Sequence, residues 1–372
     1  MFYELFEVLK QIENATFVAP RPGGEQWSRW EGYRKLRQRA MIRLGKSCAV
    51  TAPPTQVEGE FDLAFFACQF PRQIPEINSV PGWRERSRKA CVFVLETWST
   101  AVEEQKEFYR HLDAFDHVFV FCQASAPLIQ RYTKAPVTYL PTATDTLMLP
   151  ERAYARERTV DYLCIGRRHA PVHAAMYDYA CRNDRFYLFD LWKVKEVKEW
   201  GAARRQNADM GSRAKHFFVW PPFRPLPGGR FETAISTRYF EGARSGAVMI
   251  GAAPKVPEFE GLFSTPEPVI EMPEDPALVH AFLDRLDAEA AHFAEIGRSN
   301  RLDSLERHDW AHRWAEILGI MGLPASVGLE TRLAELRRRR LSEDGTRPRL
   351  VHPAAPPPAE PATTHAGSAT HA

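Results

Sequence analysis

The chain has 372 residues, of which 44% are hydrophobic and 26% charged, a composition typical of a globular protein with two domains. Its formal net charge of +2 provides no general attraction for nucleic acid, so we do not expect a nucleic-acid partner. No apolar run approaches the length of a membrane-spanning helix, and the first residues, MFYELFEVLKQ, lack the basic start of a signal peptide. The sequence therefore predicts a cytoplasmic protein without a transmembrane segment.

Eight short apolar runs, rich in branched and aromatic residues, predict buried strands. They are apolar throughout rather than alternating, which is typical of parallel strands covered by helices on both faces. Helical patterns lie between several of them, at residues 100–112 and 172–181. This alternation indicates an α/β fold with two doubly wound parallel sheets. The eight runs are residues 61–68, 90–96, 117–122, 137–141, 160–166, 186–191, 216–222 and 247–251.

The prolines and charges of residues 140–159 interrupt this pattern and mark a candidate linker. We therefore predict an N-terminal α/β domain at residues 1–145 and a C-terminal α/β domain at residues 146–323. A helical extension at residues 324–341 precedes a proline- and alanine-rich tail at residues 342–372, which we expect to be disordered. The chain opens with a helical pattern, YELFEVLKQIENA, and no strand precedes it. Either the first strand lies elsewhere in the sheet order or the chain starts late.

The cysteines indicate a reducing compartment. There are six, none in a CxxC pair. Buried, unpaired cysteine behaves as a small hydrophobic residue. We expect neither disulfides nor a cysteine zinc site. The four cysteines that lie inside apolar runs are Cys68, Cys91, Cys122 and Cys164.

The segment STRYFEGARSGAVMIG, residues 236–251, predicts a short helix followed by a buried strand. Ser236 or Thr237 is a suitable N-cap, and Gly246 is suited to a left-handed helix end. The amides at a helix N-terminus attract anions, and the Arg238 guanidinium can hold a phosphate with two parallel hydrogen bonds. The Glu241 carboxylate only accepts hydrogen bonds, so a ribose diol is a natural polar target. The alternative is that Glu241 only complements the helix dipole and Arg238 pairs with a surface carboxylate.

A second phosphate signal is the stretch DYLCIGRRHAPVHAA, in which Gly166, Arg167 and Arg168 follow a strand and precede a helix. Doubly wound folds bind phosphate at this kind of turn. It is not a GxGxxG fingerprint, which disfavours a dinucleotide-dependent oxidoreductase. Both signals would lie at the carboxyl end of one sheet, where open α/β folds bind ligands.

Three motifs together, IGRR after a strand, then TRYFEGARSGAVMIG, then RHDWAHRWAEIL, resemble those of two-domain GT-B glycosyltransferases. The R-x-F-E-small motif followed by a glycine and a strand is similar to that of the CgeB-like glycosyltransferases. The phrase VTYLPTATDTLMLP is similar to their interdomain stretch. The resemblance covers roughly residues 60–325.

The resemblance implies a GT-B-like fold, with two Rossmann-type domains facing a cleft, and a function in cell-surface glycan biosynthesis. A nucleoside diphosphate sugar would be the donor substrate, with no cofactor required. Glu241 would hold the ribose hydroxyls, Arg238 and Arg167 would lie near the diphosphate, and Gly246 would permit the helix-to-strand turn. An unknown glycan, lipid-linked or protein acceptor would bind mainly to the first domain, and the HDWAHRWAEIL helix would cross back toward that domain.

The sequence departs from the wider retaining group at two points. Glu232 and Glu241 have eight residues between them instead of seven, so Glu232 is not expected to be the first member of the paired glutamates. The lysine of that group is absent after Gly166, and Lys215 is the candidate to supply its charge. Glu96, which follows a strand, is the candidate general base. The alternative function is non-catalytic nucleotide-sugar binding in assembly or sensing.

Three further patterns are interpreted as structural. In HDWAH, two histidines four residues apart match a zinc-protease spacing, but a helix start with buried tryptophans explains them better. The run RRRR at residues 337–340 is interpreted as a solvated helix end rather than a membrane or nucleic-acid contact. Asp116 and His117 precede a strand, which is the wrong end of a sheet for a site.

Overall fold

The computed structural model describes residues 2–18, 55–189, 199–226 and 231–345, and residues 32, 33, 36 and 40. Most of the predicted tail, residues 346–372, lies outside this described part, as does most of the unassigned stretch before residue 55. Among the described residues, none of the helices has the length and apolarity needed to cross a membrane.

The first sheet is parallel, and its four described strands lie side by side in chain order. The expected helix at residues 100–112 is a series of short helical turns, of which only α2 is α-helical. Val102, Tyr109 and Leu112 still point into the core, since their spacing suits a mixture of tight and ordinary turns. The elements of this part are α1 Phe2–Ile12, β1 Phe61–Cys68, β2 Ser87–Val94, α2 Lys106–Tyr109, β3 His117–Val120, α3 Ala126–Ile129 and β4 Val137–Tyr139.

The second sheet is also parallel, with strand order β11-β10-β7-β5-β6. The order reverses at β5, so the sheet is doubly wound and has a switch point between β5 and β7. An antiparallel hairpin, β8–β9, follows β7. The elements are β5 Val160–Cys164, α4 Ala170–Arg182, β6 Tyr187–Phe189, α5 Trp200–Arg213, β7 Ala214–Val219, β8 Phe223–Pro225, β9 Phe231–Thr233, α6 Thr237–Ser245, β10 Val248–Gly251, β11 Val269–Glu271, α7 Val279–Ala288 and α8 Ala290–Arg307.

Both sheets are buried on both faces, which explains the continuous apolar runs. Along β2, Cys91 and Phe93 pack against one layer of helices, and Val92 and Val94 pack against the other. The second sheet likewise has one core beneath α4 and α7 and another beneath α6. The predicted mixed α/β fold with parallel sheets is therefore confirmed, and the short strand β11 is an addition to it.

The C-terminal helices α9 Trp310–Met321 and α10 Val327–Gly345 return to the first sheet, where α1 also packs. Trp314 of α9 meets Phe65 of β1 edge to face at 5.3 Å. Asp309 begins α9 by accepting a hydrogen bond from the Ala311 amide at 2.9 Å, which supports the helix-start interpretation of HDWAH. Helix α10 continues to Gly345, so the predicted boundary at residue 341 falls inside a helix.

The candidate linker around residues 140–146 is a buried strap rather than an exposed connection. Arg332 of α10 pairs with Asp145 at 2.5 Å and with Asp309 at 2.8 Å, and all three side chains are buried. Glu4 of α1 accepts hydrogen bonds from the Thr144 hydroxyl and the Asp145 amide. The proline and polar residues of this stretch are typical of a loop in sequence, while tertiary partners satisfy Thr144 and Asp145 in the fold.

Candidate functional site

Gly166 and Arg238 meet at the carboxyl edge of the second sheet. Gly166 follows β5 and has a φ of 101°, a conformation that side chains disfavour. A Cβ atom at this position would lie 3.4 Å from Arg238 Nε. Glycine therefore allows the turn out of β5, and the Arg238 guanidinium lies in contact with this turn. This turn is adjacent to the switch point, where doubly wound sheets bind ligands.

Arg238 and Glu241 lie on the first and second turns of α6 and form an ion pair with each other. Their side chains are 29% and 20% exposed, respectively, so the pair is partly shielded from water yet still accessible to a ligand. Ser236 is the N-cap residue but makes no side-chain capping bond. One ion pair does not exhaust either group, because a guanidinium has five N–H donors and a carboxylate accepts about four hydrogen bonds.

The remaining groups at this edge extend the candidate site around Gly166. Arg167 is exposed, and the Arg168 guanidinium lies over the Phe189 ring at 5.5 Å. His169 and Trp220 have ring centroids 6.1 Å apart and bring the ends of β5 and β7 together. Sequence reasoning missed this aromatic pair, although the stretches GRRH and FFVWPP each place a ring directly after a strand. Such rings can stack on a planar base or a sugar.

Lys215 lies at the opposite edge of the sheet. It is near the start of β7, and its Nζ atom pairs with Asp161 of β5 at 2.7 Å. Because β5 and β7 run parallel, both residues lie at the amino ends, a strand length away from Gly166. The expectation that Lys215 supplies a charge near the diphosphate is therefore corrected.

Gly246 ends α6 in a left-handed conformation, with a φ of 66°. This agrees with the turn expected between helix and strand. The last carbonyl of α6, on Ser245, accepts a hydrogen bond from Arg158, which also binds the Ala214 carbonyl at the amino end of β7. Gly246 thus shapes the chain at the edge opposite Gly166 and does not line the same surface.

The first sheet contributes a loop at its own carboxyl edge. Glu96 follows β2, is half-buried, and accepts a hydrogen bond from Trp98 Nε1 at 2.7 Å. Next in the chain, the Ser99 amide donates to Glu232 of β9 at 2.7 Å. The loop that carries Glu96, the candidate general base, therefore packs against the hairpin that follows β7. Asp116, at the amino end, pairs with Arg84 at 2.9 Å.

Of the residues interpreted as structural, His312 and two of the four consecutive arginines have the following protein partners. His312 Nε2 lies 3.1 Å from the Leu305 carbonyl, and burial lowers the pKa of this imidazole. Arg338 and Arg339 both bind Glu335. In the part of the chain that the structure describes, no three His, Cys, Asp or Glu side chains form a group able to hold a metal ion.

Comparison with known proteins gives one family match. Residues 227–319 match a family model described as glycosyl transferase-like, and this segment contains Arg238, Glu241 and Gly246. No curated protein matches the chain. The matched segment is therefore glycosyl transferase-like.

Solved structures similar to this chain include TarM from S. aureus, in complex with fondaparinux, alpha-GlcNAc-glycerol and UDP. It is 10% identical, with a TM-score of 0.46, over 69% of this chain and 55% of TarM. The alignment thus spans about half the length of TarM. An alpha,alpha-trehalose-phosphate synthase (UDP-forming) from Burkholderia vietnamiensis is 10% identical, with a TM-score of 0.47, over 81% of this chain and 77% of its own. The trehalose-6-phosphate synthase OtsA is 11% identical, with a TM-score of 0.47, over 87% and 84%.

Proposed function

We propose that this protein is a GT-B-type glycosyltransferase of the CgeB-like group, which moves a sugar from a nucleoside diphosphate sugar to an acceptor hydroxyl. One observation carries the proposal. Gly166, Arg238 and Glu241 meet at the switch-point edge of a doubly wound sheet, and the last two lie in the glycosyl transferase-like segment. An anion-binding turn, a guanidinium and a carboxylate together suit a diphosphate attached to a ribose.

The donor binds to the second domain, residues 146–323, under this proposal. Arg238, with exposed Arg167, neutralises the diphosphate, and the Glu241 carboxylate accepts hydrogen bonds from the ribose hydroxyls. Gly166 keeps the turn open beside Arg238. The nucleobase of the donor stacks near His169 and Trp220, the aromatic pair at the same edge. UDP is the first nucleotide to test, since TarM was solved with UDP and the trehalose-phosphate synthase is described as UDP-forming.

The acceptor binds to the first domain, residues 1–145, in the cleft. As its oxygen forms a bond to the anomeric carbon, the bond from that carbon to the diphosphate breaks and the electron pair leaves with the diphosphate. Glu96 is the proposed base, which takes the proton from the acceptor hydroxyl. Arginines and helix amides stabilise the charge that develops on the leaving group. We propose a cytoplasmic location for this reaction.

A second candidate function is nucleotide-sugar binding without catalysis. The position of Lys215 favours this candidate. Lys215 pairs with Asp161 at the opposite edge of the sheet, so the proposed diphosphate site has arginines but lacks the lysine expected of the catalytic group. The two functions share a binding site and differ in turnover.

A calorimetric titration with UDP, GDP, dTDP and their sugars tests both candidates. Binding of a nucleoside diphosphate with slow donor hydrolysis, or with transfer to a panel of sugar acceptors, supports the transferase. Binding with neither reaction supports the second candidate. Failure to bind any nucleoside diphosphate contradicts both.

A further inference from the structure

One carboxylate of the β8–β9 hairpin, which follows β7, reaches into the loop that follows β2 of the first sheet. Glu232 of β9 accepts hydrogen bonds from the Ser99 amide at 2.7 Å and the Thr100 hydroxyl at 3.0 Å. The Thr100 amide lies 3.3 Å away, and Cys122 Sγ, after β3, lies 3.5 Å away. All four groups belong to the first sheet's carboxyl edge, so Glu232 links the hairpin directly to that edge.

The link is specific because local structure leaves these donors open. Ser99 begins a three-residue helical turn, Ser99–Ala101, and its N-cap residue Trp98 makes no side-chain capping bond. The first amides of such a turn lack partners within it. Glu232 supplies the missing acceptor from the other sheet. Burial raises the pKa of Glu232, but the hydrogen bonds from Ser99 and Thr100 outweigh this, and the net pKa is lowered, so the carboxylate stays charged.

The hairpin is built to present Glu232 inward. Arg224 of β8 pairs with Glu232 in register, and the neighbouring pair joins Pro225 to Phe231. Since successive strand residues point to opposite faces, Phe231 faces away from Glu232. Phe223 and Phe231 are 56% and 61% exposed, and their rings pack at 5.9 Å. One hairpin face therefore meets the first sheet and the other meets solvent.

We propose that Glu232 is a positioning residue: a latch that holds the loop from Glu96 to Thr100 against the β8–β9 hairpin and so fixes the position of Glu96. Two hydrogen bonds connect Glu232 to Glu96 through this loop: the Ser99 amide donates to Glu232, and Trp98 Nε1 donates to Glu96. The assignment of Glu96 rests on the proposed function, whereas the latch itself does not.

Cys122 is a built-in reporter of the latch. Its side chain is buried, and it contacts Glu232. Burial and the Glu232 charge raise the pKa of this thiol to about 12, so it reacts slowly while the latch is closed. Opening of the hairpin exposes it to an alkylating reagent. Peptide mass spectrometry separates this signal from that of Cys181, which is exposed.

The test compares Glu232→Ala with the matched control Glu260→Gln, which changes an exposed glutamate of the same segment. We expect Cys122 alkylation to rise about tenfold in Glu232→Ala, because a charge-assisted link is lost, and to stay unchanged in the control. Circular dichroism verifies folding. Unchanged Cys122 alkylation in folded Glu232→Ala would overturn the latch.

Thr100→Val provides a second, independent variant. It removes the exposed hydroxyl that binds Glu232 and leaves the charge beside Cys122 in place, so a rise in alkylation reports opening rather than a shifted thiol pKa. The double variant should react no faster than Glu232→Ala alone, since both act on one contact. Additive increases would contradict a shared latch. If Glu232→Ala does not fold, Thr100→Val alone decides the question, and unchanged Cys122 alkylation in this variant would then overturn the latch.

The catalytic part is measured with nucleotide binding and turnover. We expect Glu232→Ala to keep nucleoside diphosphate affinity within about twofold and to lower kcat about tenfold or more with the donor KM unchanged, while Glu232→Asp restores part of kcat. An equal loss of donor affinity would refute the positioning role. If the wild-type protein binds no nucleotide while Cys122 still responds, the proposed function fails and the latch stands.

Discussion

Replacement of Glu241 with alanine separates recognition of the ribose from recognition of the diphosphate. The Glu241 carboxylate is 20% exposed and already holds Arg238, so its hydrogen bonds to a ribose would be charge-assisted and partly shielded. Loss of such bonds costs about 2–4 kcal/mol, which corresponds to a roughly 30- to 1,000-fold weaker nucleoside diphosphate. The same change frees Arg238, whose guanidinium would then be fully available to phosphate.

The assay is isothermal titration with UDP and, separately, with inorganic diphosphate. Glu241→Ala should weaken UDP by the stated factor and leave inorganic diphosphate unchanged or bound more tightly. Glu260→Ala, at an exposed position of the same segment, is the control and should bind both ligands as the wild type does. If Glu241→Ala weakens both ligands equally, or weakens neither, the assignment of this carboxylate to the ribose is refuted.

Three further predictions follow from the same contacts. Arg238→Ala should weaken UDP and inorganic diphosphate together by about tenfold or more, whereas Lys215→Ala, which removes a cation at the opposite edge, should change neither titration; equal effects would contradict the location of the site. Gly166→Ala should cost about 1–3 kcal/mol of unfolding free energy in urea because of the strained φ, and should weaken UDP because relief of this strain distorts the turn beside Arg238; a neutral result would show that this turn adapts. Arg332→Ala should cost about 3–5 kcal/mol at neutral pH, because it leaves Asp309 buried and unpaired. Burial raises the pKa of Asp309, but Arg332 outweighs this, so the net pKa is below the ordinary 3.8. The ion pair's contribution to the free energy of unfolding is therefore present above pH 3.8 and disappears as the pH falls through the pKa of the folded protein. Urea titrations across this range should show the stability difference between Arg332→Ala and the wild type shrinking as the pH falls.

The apolar runs were sufficient to predict eight of the strands because both faces of each sheet are covered, which removes the polar residues that would otherwise alternate. The run 160–166 contains β5, and the run 247–251 contains β10. The turn at the glycine of IGRR was also predictable, since few backbone conformations connect a strand to a helix through one glycine. Strand β11 was missed because Val269–Glu271 has only two apolar residues before a charged one, too few to mark a buried run. The hairpin strands β8 and β9 were missed as well.

Polar residues were the harder part of the prediction. The prolines and charges of residues 140–159 suggested a linker, yet Asp145 is buried against Arg332 from α10. Its spacing from Glu241 excluded Glu232 from the paired glutamates, but in the fold Glu232 accepts a hydrogen bond from the Ser99 amide. Lys215 was chosen for its charge, but its position at the amino end of β7 faces Asp161. Each of these partners is distant in the chain.

The sequence by itself determined the class of the fold, the helix-to-strand turn at Gly246 and the residue types at the candidate site, because these depend on local periodicity and backbone conformation. Only the tertiary structure decided the strand order, the switch point beside Gly166, the pairing of Arg238 with Glu241 and the reach of Glu232 to Ser99. The physical reason is that a charged side chain has no preferred partner until folding fixes which groups surround it, whereas an apolar run requires burial wherever it lies.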